Sequence, residues 1–347
     1  MTREPRQGVI RGMTVASAIA VGLSLAACVS AQLTLEDIAL DPDSNRLAVS
    51  RLEDGLLTVG VDVGSEETVP FILDTGATKS VIFENRLEAL DTQATGAVRV
   101  HGMFGVGVVP EVSLPRLALG TDTVEHFEFA VLPQRKTDRT EGEPWGILGM
   151  DVLSRYRLFS PGKGEGLILI EAKGAPPIVP AYWGRVELRD SPYDGQQSRL
   201  RFMDVRLNGR VTSALLDTGS AVNVLTYEFA DFPTVRRVAA RHRMEMEVEG
   251  AITSEAPKLL LKDVDFRAGS RVWWDKEFIV RDVKALEALG VVGQPFMIAG
   301  VDILADETFY LDLAGNELRM PKARRPDAIT HSVPGAELRV GPEAHSR

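Results

Sequence analysis

The feature that most constrains the fold is a phrase that occurs twice in the chain. "FILDTGATKSVI" runs from Phe71 to Ile82, and "ALLDTGSAVNVL" runs from Ala214 to Leu225. In each copy three apolar residues precede Asp-Thr-Gly and a small residue follows it. Asp217 follows Asp74 by 143 positions in a chain of 347 residues. A repeat at this spacing predicts two similar structural units.

Three further landmarks recur in the same order around the two copies. An alternating apolar hairpin pattern precedes each copy, "LLTVGVDVGSEETVPFIL" in the first and "LRFMDVRLNGRVTSALL" in the second. After each copy comes "VRVHGMFGVG" or "MEVEGAITSE", and then "ILGMDVL" or "IAGVDIL". Short alternating segments separated by turn residues are typical of β-strands. The sequence therefore predicts a mostly β protein in two matched halves.

The remaining segments predict short helices, a linker and the boundaries of the two halves. Asp151 and Asp302 are predicted to be the N-caps of short helices. Short helices are also expected within residues 226–245 and 281–290. The proline-rich segment "AKGAPPIVPAYWG" reads as the linker between the halves. The predicted divisions are a signal segment at 1–31, lobes at 32–175 and 176–325, and a disordered tail at 326–347.

Composition excludes several classes of protein. With 44% hydrophobic and 25% charged residues, the chain has a globular composition and is long enough for two domains with sizeable cores. A net charge of -10 argues against nucleic acid as a partner, because binding it calls for a clustered basic face. The five histidines show no metal-binding spacing. Neither a metal nor another cofactor is expected.

The first residues have the pattern of an export signal. Three arginines precede the apolar run "MTVASAIAVGLSLAAC", which is short for a membrane span. "LAAC" resembles a bacterial lipobox, which would place a lipid on Cys28, the only cysteine of the chain. Alternatively, cleavage after "VSA" would release a chain that begins at Gln32. The lipobox is favoured, and the expected location is the bacterial periplasm, with an optional lipid anchor to the membrane.

An Asp-Thr-Gly turn that occurs twice can build a pair of carboxylates. Each Asp follows an apolar strand, and each Thr hydroxyl can bond to backbone groups of the other copy. Two carboxylates held side by side cannot both ionise, so they share one proton and offer a base and an acid in one place. A single Asp-Thr-Gly is more often only a turn. Two copies in matched contexts favour catalysis by Asp74 and Asp217.

On these motifs the chain resembles the aspartic peptidases, and in particular the retropepsin-like branch. The resemblance covers most of residues 50–320 and implies two homologous β-barrel lobes related by a pseudo-two-fold axis, with the cleft between them. It looks like a retropepsin-type unit duplicated and fused. It also implies that Thr75 and Thr218 interlock beneath the dyad, and that Gly149 and Gly300 lie in loops behind it. The remaining residues implied in support of the dyad are Gly76, Ala77, Gly219 and Ser220.

The two halves differ in two respects. "HGMFGVG" is glycine-rich with an apolar tip, whereas the equivalent "EGAITSE" is polar. We therefore expect one dominant substrate-binding flap, formed by Gly102, Met103, Phe104 and Gly105. The second difference is the residue after the glycine: the hydroxyl of Ser220 is predicted to donate a hydrogen bond to Asp217, which Ala77 cannot do for Asp74.

The sequence thus predicts an exported aspartic endopeptidase that acts on a protein or peptide substrate as a monomer. Two alternatives stay open. The first is a catalytically silent peptide-binding protein with the same bilobed fold. The second is a partner-gated processing peptidase, inactive until "AQLTLEDIALDPDSNRLAVS" is displaced.

Overall fold

The computed structural model describes most of the two repeats. The described residues are 45–102, 105–133, 142–162, 166–173, 176–191, 199–207, 209–230, 248–249, 254–255, 259–281, 283, 286, 289–291 and 293–322. The predicted signal segment with Cys28, the predicted tail, Met103 and Phe104 lie outside them.

The first half is made almost entirely of strands. They are β1 (Arg46–Arg51), β2 (Leu57–Val61), β3 (Val69–Leu73), β4 (Val81–Phe83), β5 (Gln93–Gly102), β6 (Gly105–Leu119), β7 (Asp122–Leu132), β8 (Gly146–Leu148), β9 (Tyr156–Ser160) and β10 (Leu167–Glu171). A 3₁₀ helix spans Glu84–Ala89, and the short helix α1 spans Met150–Leu153.

The second half is likewise made mainly of strands. Its strands are β11 (Gly184–Glu187), β12 (Phe202–Leu207), β13 (Arg210–Asp217), β14 (Asn223–Leu225), β15 (Val248–Glu249), β16 (Ser254–Glu255), β17 (Leu259–Ala268), β18 (Arg271–Val280), β19 (Phe296–Gly300), β20 (Phe309–Asp312) and β21 (Glu317–Met320). The short helix α2 spans Tyr227–Ala230, within the predicted 226–245, and a 3₁₀ helix spans Val301–Leu304. Only scattered positions of the second predicted helical segment, 281–290, are described.

Strand pairing is the same in the two halves. In the second half, β12, β13, β19, β14, β18 and β17 pair in that order and close into a barrel. In the first half, β2, β3, β8, β4, β7 and β6 pair in the same order, and an isolated bridge between Asp62 and Ala118 links the two ends of the row. The prediction of a mostly β fold with two retropepsin-like barrel lobes is confirmed.

The hairpins that begin the barrels follow from their turn residues. β2 and β3 pair antiparallel, and Gly64 between them has a φ of 86°, in the left-handed region that favours glycine. The equivalent turn between β12 and β13 contains Gly209, with a φ of 82°. Alternation of apolar residues along these strands places one face of each inside its barrel.

Six strands that continue the sheet of the first barrel, through the pairing of β1 with β2, join the two halves. Their order is β1, β10, β9, β20, β21 and β11, so each half contributes three strands. At its centre β9 pairs antiparallel with β20, and Arg157 of β9 forms a buried ion pair with Asp312 of β20 at 3.2 Å. The predicted division between residues 175 and 176 falls between β10 and β11. These six strands, together with one apolar core that extends through both barrels, fix each half to the other.

Candidate active site

Each Asp-Thr-Gly turn lies at the end of a buried parallel strand pair. β3 runs parallel to β8, and the Asp74 N–H donates to the Leu148 carbonyl at 3.0 Å. β13 runs parallel to β19, with Asp217 opposite Gly300. Because the three residues directly before each turn are apolar and buried, the turns start from rigid positions. The sequence pattern and the pairing therefore place Asp74 and Asp217 at equivalent points.

The two threonines link the turns across the halves. The Thr75 hydroxyl donates to the Leu216 carbonyl at 2.7 Å and accepts the Thr218 N–H at 3.0 Å. The Thr218 hydroxyl donates to the Leu73 carbonyl at 2.6 Å and accepts the Thr75 N–H at 3.1 Å. Both threonines are buried. These four hydrogen bonds satisfy buried backbone groups and hold the two turns together.

The glycines of the turns make room for the carboxyl groups of the other half. A Cβ atom at Gly76 would lie 2.4 Å from the Asp217 Cγ, and a Cβ at Gly219 would lie 2.1 Å from the Asp74 Cγ. No side chain fits at those distances. Glycine is therefore required at both positions by the close approach of the opposite carboxyl group.

Backbone N–H groups support both carboxyl groups in the same way. Asp74 Oδ1 accepts the N–H groups of Gly76 at 2.8 Å and of Ala77 at 3.0 Å. Asp217 Oδ1 accepts the Gly219 N–H at 3.0 Å, and the Ser220 N–H also bonds to the Asp217 carboxyl. Donors aimed at a carboxylate favour its ionised form. The turns thus offset part of the cost of holding charge at this half-buried site.

Burial and the neighbouring carboxyl group nevertheless oppose the ionisation of Asp217. Burial raises the pKa of Asp217 well above its ordinary value, and the neighbouring charge of Asp74 and a hydrogen bond with the Asp74 side chain raise it further. The N–H groups of Gly219 and Ser220 oppose this shift. Two carboxyl groups in hydrogen-bond contact can share one proton, and such a pair can offer a base and an acid in one place.

One prediction about the dyad is wrong. The Ser220 hydroxyl does not donate to Asp217, because its single hydrogen is directed at the Val222 carbonyl at 2.7 Å. Ser220 supports Asp217 through its backbone N–H and not through its side chain, just as the N–H of Ala77 supports Asp74. The Ser220 hydroxyl therefore does not make the hydrogen bonding of the Asp217 carboxyl different from that of Asp74.

Gly149 and Gly300 pack directly against the two Asp-Thr-Gly turns. A Cβ at Gly149 would lie 2.9 Å from the Ala77 carbonyl oxygen, and one at Gly300 would lie 2.7 Å from that of Ser220. The next residues, Met150 and Val301, donate their N–H groups to those same carbonyls at 2.8 Å. The structure thus places both glycines in the loops behind the dyad.

Sequence reasoning missed the polar side chains that fasten these loops. In the first half, Ser80 donates its N–H and its hydroxyl to the Asp151 carboxylate, and its Oγ accepts the Gly149 N–H at 3.0 Å. In the second half, Asn223 Oδ1 accepts the Gly300 N–H at 3.0 Å and Nδ2 donates to Asp302 at 3.0 Å. Ser80 and Asn223 both lie six positions after their aspartate. This shared spacing was the available signal.

The predicted capping role of Asp151 and Asp302 is therefore wrong. The N-cap positions are Gly149 and Gly300, which make no side-chain cap bond, and each aspartate lies two residues further along, inside the first helical turn. The carboxylates instead bond to Ser80 and Asn223 because those side chains lie between the loop and the catalytic turn. Burial raises the pKa of Asp151, while the hydrogen bonds from Ser80 oppose this change.

Hairpins lie at equivalent places in the two halves. β5 and β6 pair as far as Gly102 opposite Gly105, so these two predicted flap residues flank the hairpin tip, while Met103 and Phe104 lie outside the described residues. The second hairpin is described only at β15 and β16, where Val248 pairs with Glu255. Within the described part of the chain, no helix is long and apolar enough to cross a membrane.

Comparison with known proteins supports the catalytic interpretation of the first half. Residues 59–152 match a family model described as aspartyl protease. This stretch contains Asp74 and its turn, the β5–β6 hairpin and the Gly149 loop. The match supports peptidase activity at the level of the family.

Two other comparisons add little. No curated protein matches the chain. Among solved structures, conglutin gamma, a basic 7S globulin from lupine seeds, is similar with a TM-score of 0.47 and 14% identity, over 82% of this chain and 96% of that chain. A likeness this low carries no argument about function.

Proposed function

We propose that this protein is an aspartic endopeptidase that hydrolyses peptide bonds in extended protein segments. The observation that carries the proposal is the pair of carboxyl groups of Asp74 and Asp217, in hydrogen-bond contact on two interlocked turns. The family match covers only the first turn. The second turn supports the proposal because it supplies the matching carboxyl group with matching N–H donors.

The dyad would act through a water molecule held between the two aspartates. The ionised carboxylate takes a proton from the water, and the oxygen of the water attacks the scissile carbonyl carbon. The protonated carboxyl donates its proton to the carbonyl oxygen, which gives a neutral tetrahedral diol. The carboxyl that is now protonated gives its proton to the amide nitrogen while the other carboxylate takes a proton from a diol hydroxyl; the C–N bond breaks, a carboxylic acid and an amine leave, and the pair is again singly protonated. No covalent adduct with the enzyme and no cofactor are needed.

The substrate would be an extended peptide bound between the barrels and the hairpins. An extended backbone can pair with hairpin strands, and its alternate side chains then enter pockets on the two sides. The apolar residues predicted at the first hairpin tip favour bulky apolar side chains around the cleaved bond.

The arrangement also supports a monomeric enzyme that arose by duplication and fusion of a retropepsin-type unit. Both aspartates and all four interlocking threonine bonds belong to one chain. The same order of strand pairing in both halves supports the duplication. Specific activity should therefore not fall on dilution. A loss of specific activity that tracks dissociation in light scattering would contradict the monomer.

We further propose that the protein is exported and held at the membrane by lipid on Cys28. The support is the "LAAC" sequence after an apolar run. The wild-type protein should fractionate with membranes in its native host, and Cys28→Ser should accumulate as precursor or become soluble. Soluble wild-type protein that begins at Gln32 would instead indicate simple cleavage after Ala31.

The decisive experiment for catalysis uses the purified mature protein and a denatured protein mixture. Cleavage sites are identified by mass spectrometry with and without a statine-type transition-state analogue. The wild type should make cuts that the analogue blocks, whereas Asp74→Asn and Asp217→Asn, each with an unchanged circular dichroism spectrum, should make none. Tight binding of peptides by the wild type without any cut would favour the silent peptide-binding protein.

A further inference from the structure

The β5–β6 hairpin extends beyond the first barrel from a definable root. Glu111 pairs with Ala130 in β7, and this is the last pair between β6 and β7 in the direction of the hairpin tip. Residues 105–110 of β6 pair with β5 alone. We name residues 96–102 and 105–110 the projecting hairpin. Glu111 therefore lies where the projecting hairpin leaves the barrel.

The strand opposite Glu111 is irregular at the same point. Glu111 pairs with Gly96, and the register of β5 shifts between Ala94 and Gly96. Gly96 has a φ of 153°, and a Cβ added there would meet nothing within 4 Å. A bulge with a glycine bends and twists a strand locally. The direction of the projecting hairpin is thus set at its root.

An ion pair connects this root to the catalytic turn. Lys79, five residues after Asp74, donates from Nζ to Glu111 Oε1. Glu128 Oε2 of β7 lies 3.9 Å from the same Nζ. The Lys79 and Glu111 side chains are only 27% and 16% exposed, so water screens the pair incompletely. The Lys79 backbone packs on the Gly149 loop, since a Cβ at Gly149 would lie 2.7 Å from the Lys79 carbonyl carbon.

The equivalent sequence position of the second half does not carry a cation. The position five residues after Asp217 is Val222, which is apolar and gives its carbonyl to the Ser220 hydroxyl. The connection therefore belongs to the half whose hairpin is glycine-rich, and it is a feature in which the otherwise matched halves differ.

We propose that Lys79 and Glu111 are positioning residues that fix the projecting hairpin relative to the turn that carries Asp74. A two-stranded hairpin is marginally stable by itself, so a contact at its root governs how it is oriented. The proposal rests on the proposed function in that the hairpin contacts the peptide substrate. Loss of the pair widens the range of hairpin orientations and weakens peptide binding more than it slows the chemical step.

The kinetic test compares Lys79→Met and Glu111→Gln with Lys79→Arg, which keeps the charge. Loss of a partly exposed ion pair should raise KM for an extended peptide about two- to fivefold with a smaller change in kcat, and Lys79→Arg should restore KM. Arg116→Met is the matched control, because Arg116 lies on the same strand β6, away from the projecting hairpin, and forms an ion pair with Asp62, which follows β2. Equal KM values for Lys79→Met, Arg116→Met and the wild type would overturn the proposal.

A second measurement needs no activity. Hydrogen exchange of the amides in the projecting hairpin should be faster in Lys79→Met and Glu111→Gln than in the wild type, and unchanged in Arg116→Met. Unchanged exchange in both charge-removing variants would overturn the proposal whatever the kinetics. If the wild type cleaves no peptide, the proposed function fails, and the exchange rates still decide whether the ion pair fixes the hairpin.

Discussion

Replacing Thr75 by valine should damage the dyad more than it damages the fold. Valine keeps the shape of threonine but removes the hydroxyl, so the buried Leu216 carbonyl and the buried Thr218 N–H each lose their partner. Leaving a buried polar group unsatisfied costs about 1–3 kcal/mol, so the free energy of unfolding should fall by about 2–6 kcal/mol. A domain with a typical stability of roughly 5–15 kcal/mol can remain folded at moderate temperature.

The catalytic effect follows from the position of the lost bonds. Thr75 lies directly after Asp74 and holds it to the turn of Asp217. Displacement of a catalytic group by about 1 Å typically costs about a hundredfold in rate, and we expect a loss of kcat of that order. The assay is steady-state hydrolysis of one peptide at a temperature where urea unfolding shows the variant to be folded.

Thr226→Val is the matched control. The Thr226 hydroxyl also donates to a carbonyl, that of Gln294 at 3.1 Å, and accepts an N–H, that of Phe296 at 3.0 Å. It is buried, at 6% exposure against 2% for Thr75, but its bonds lie within the second barrel. Thr226→Val should lose similar stability and keep its kcat. Equal kcat values for the two folded variants would refute the argument that the interlock positions the dyad.

Three further predictions follow from the same geometry. Gly219→Ala should lower kcat by about a hundredfold or more in steady-state hydrolysis, because the new Cβ would overlap the Asp74 carboxyl at 2.1 Å; wild-type kcat would contradict that contact. Because the pKa of Asp217 is raised, the folded state holds its proton more tightly than the unfolded state does. The contribution of this group to the free energy of unfolding is therefore fully present below about pH 4 and is lost as pH rises through the folded-state pKa. Asp217→Asn should therefore gain stability relative to the wild type as pH rises, and a constant difference in urea unfolding across pH would contradict it. Ser220→Ala should leave the pH profile of kcat/KM unchanged, since its hydroxyl bonds to Val222, and a shifted profile would show that the hydroxyl contacts the dyad.

The sequence was sufficient to predict those features that depend on neighbouring residues and that occur in both halves. Alternating apolar residues and Gly-containing turns predict the hairpins that begin each barrel, and β2–β3 and β12–β13 are found there. The paired Asp-Thr-Gly turns predict a dyad, and the structure brings the carboxyl groups of Asp74 and Asp217 into contact. These features depend on backbone periodicity and on turn chemistry, which a few neighbouring residues determine.

Predictions about where a polar side chain bonds were less successful. Rules that consider only nearby residues predict that Ser220 bonds to Asp217 and that Asp151 and Asp302 cap helices. In the structure the Ser220 hydroxyl bonds to Val222, Asp151 bonds to Ser80, and Asp302 bonds to Asn223. A side chain with several acceptors or donors within reach takes the one that the fold presents, and the partners of Asp151 and Asp302 are distant in sequence.

The sequence alone determined that there are two matched β units and that each carries one aspartate on a glycine turn. Only the tertiary structure decided how the units are joined: three strands from each half lie side by side in one sheet, and four threonine bonds cross between the turns. It also decided that, within the first half, Lys79 reaches Glu111 at the root of the hairpin. The physical reason is range. Strand periodicity and turns are local properties of the chain, whereas these contacts join residues far apart in sequence and exist only once the strands that carry them have packed together.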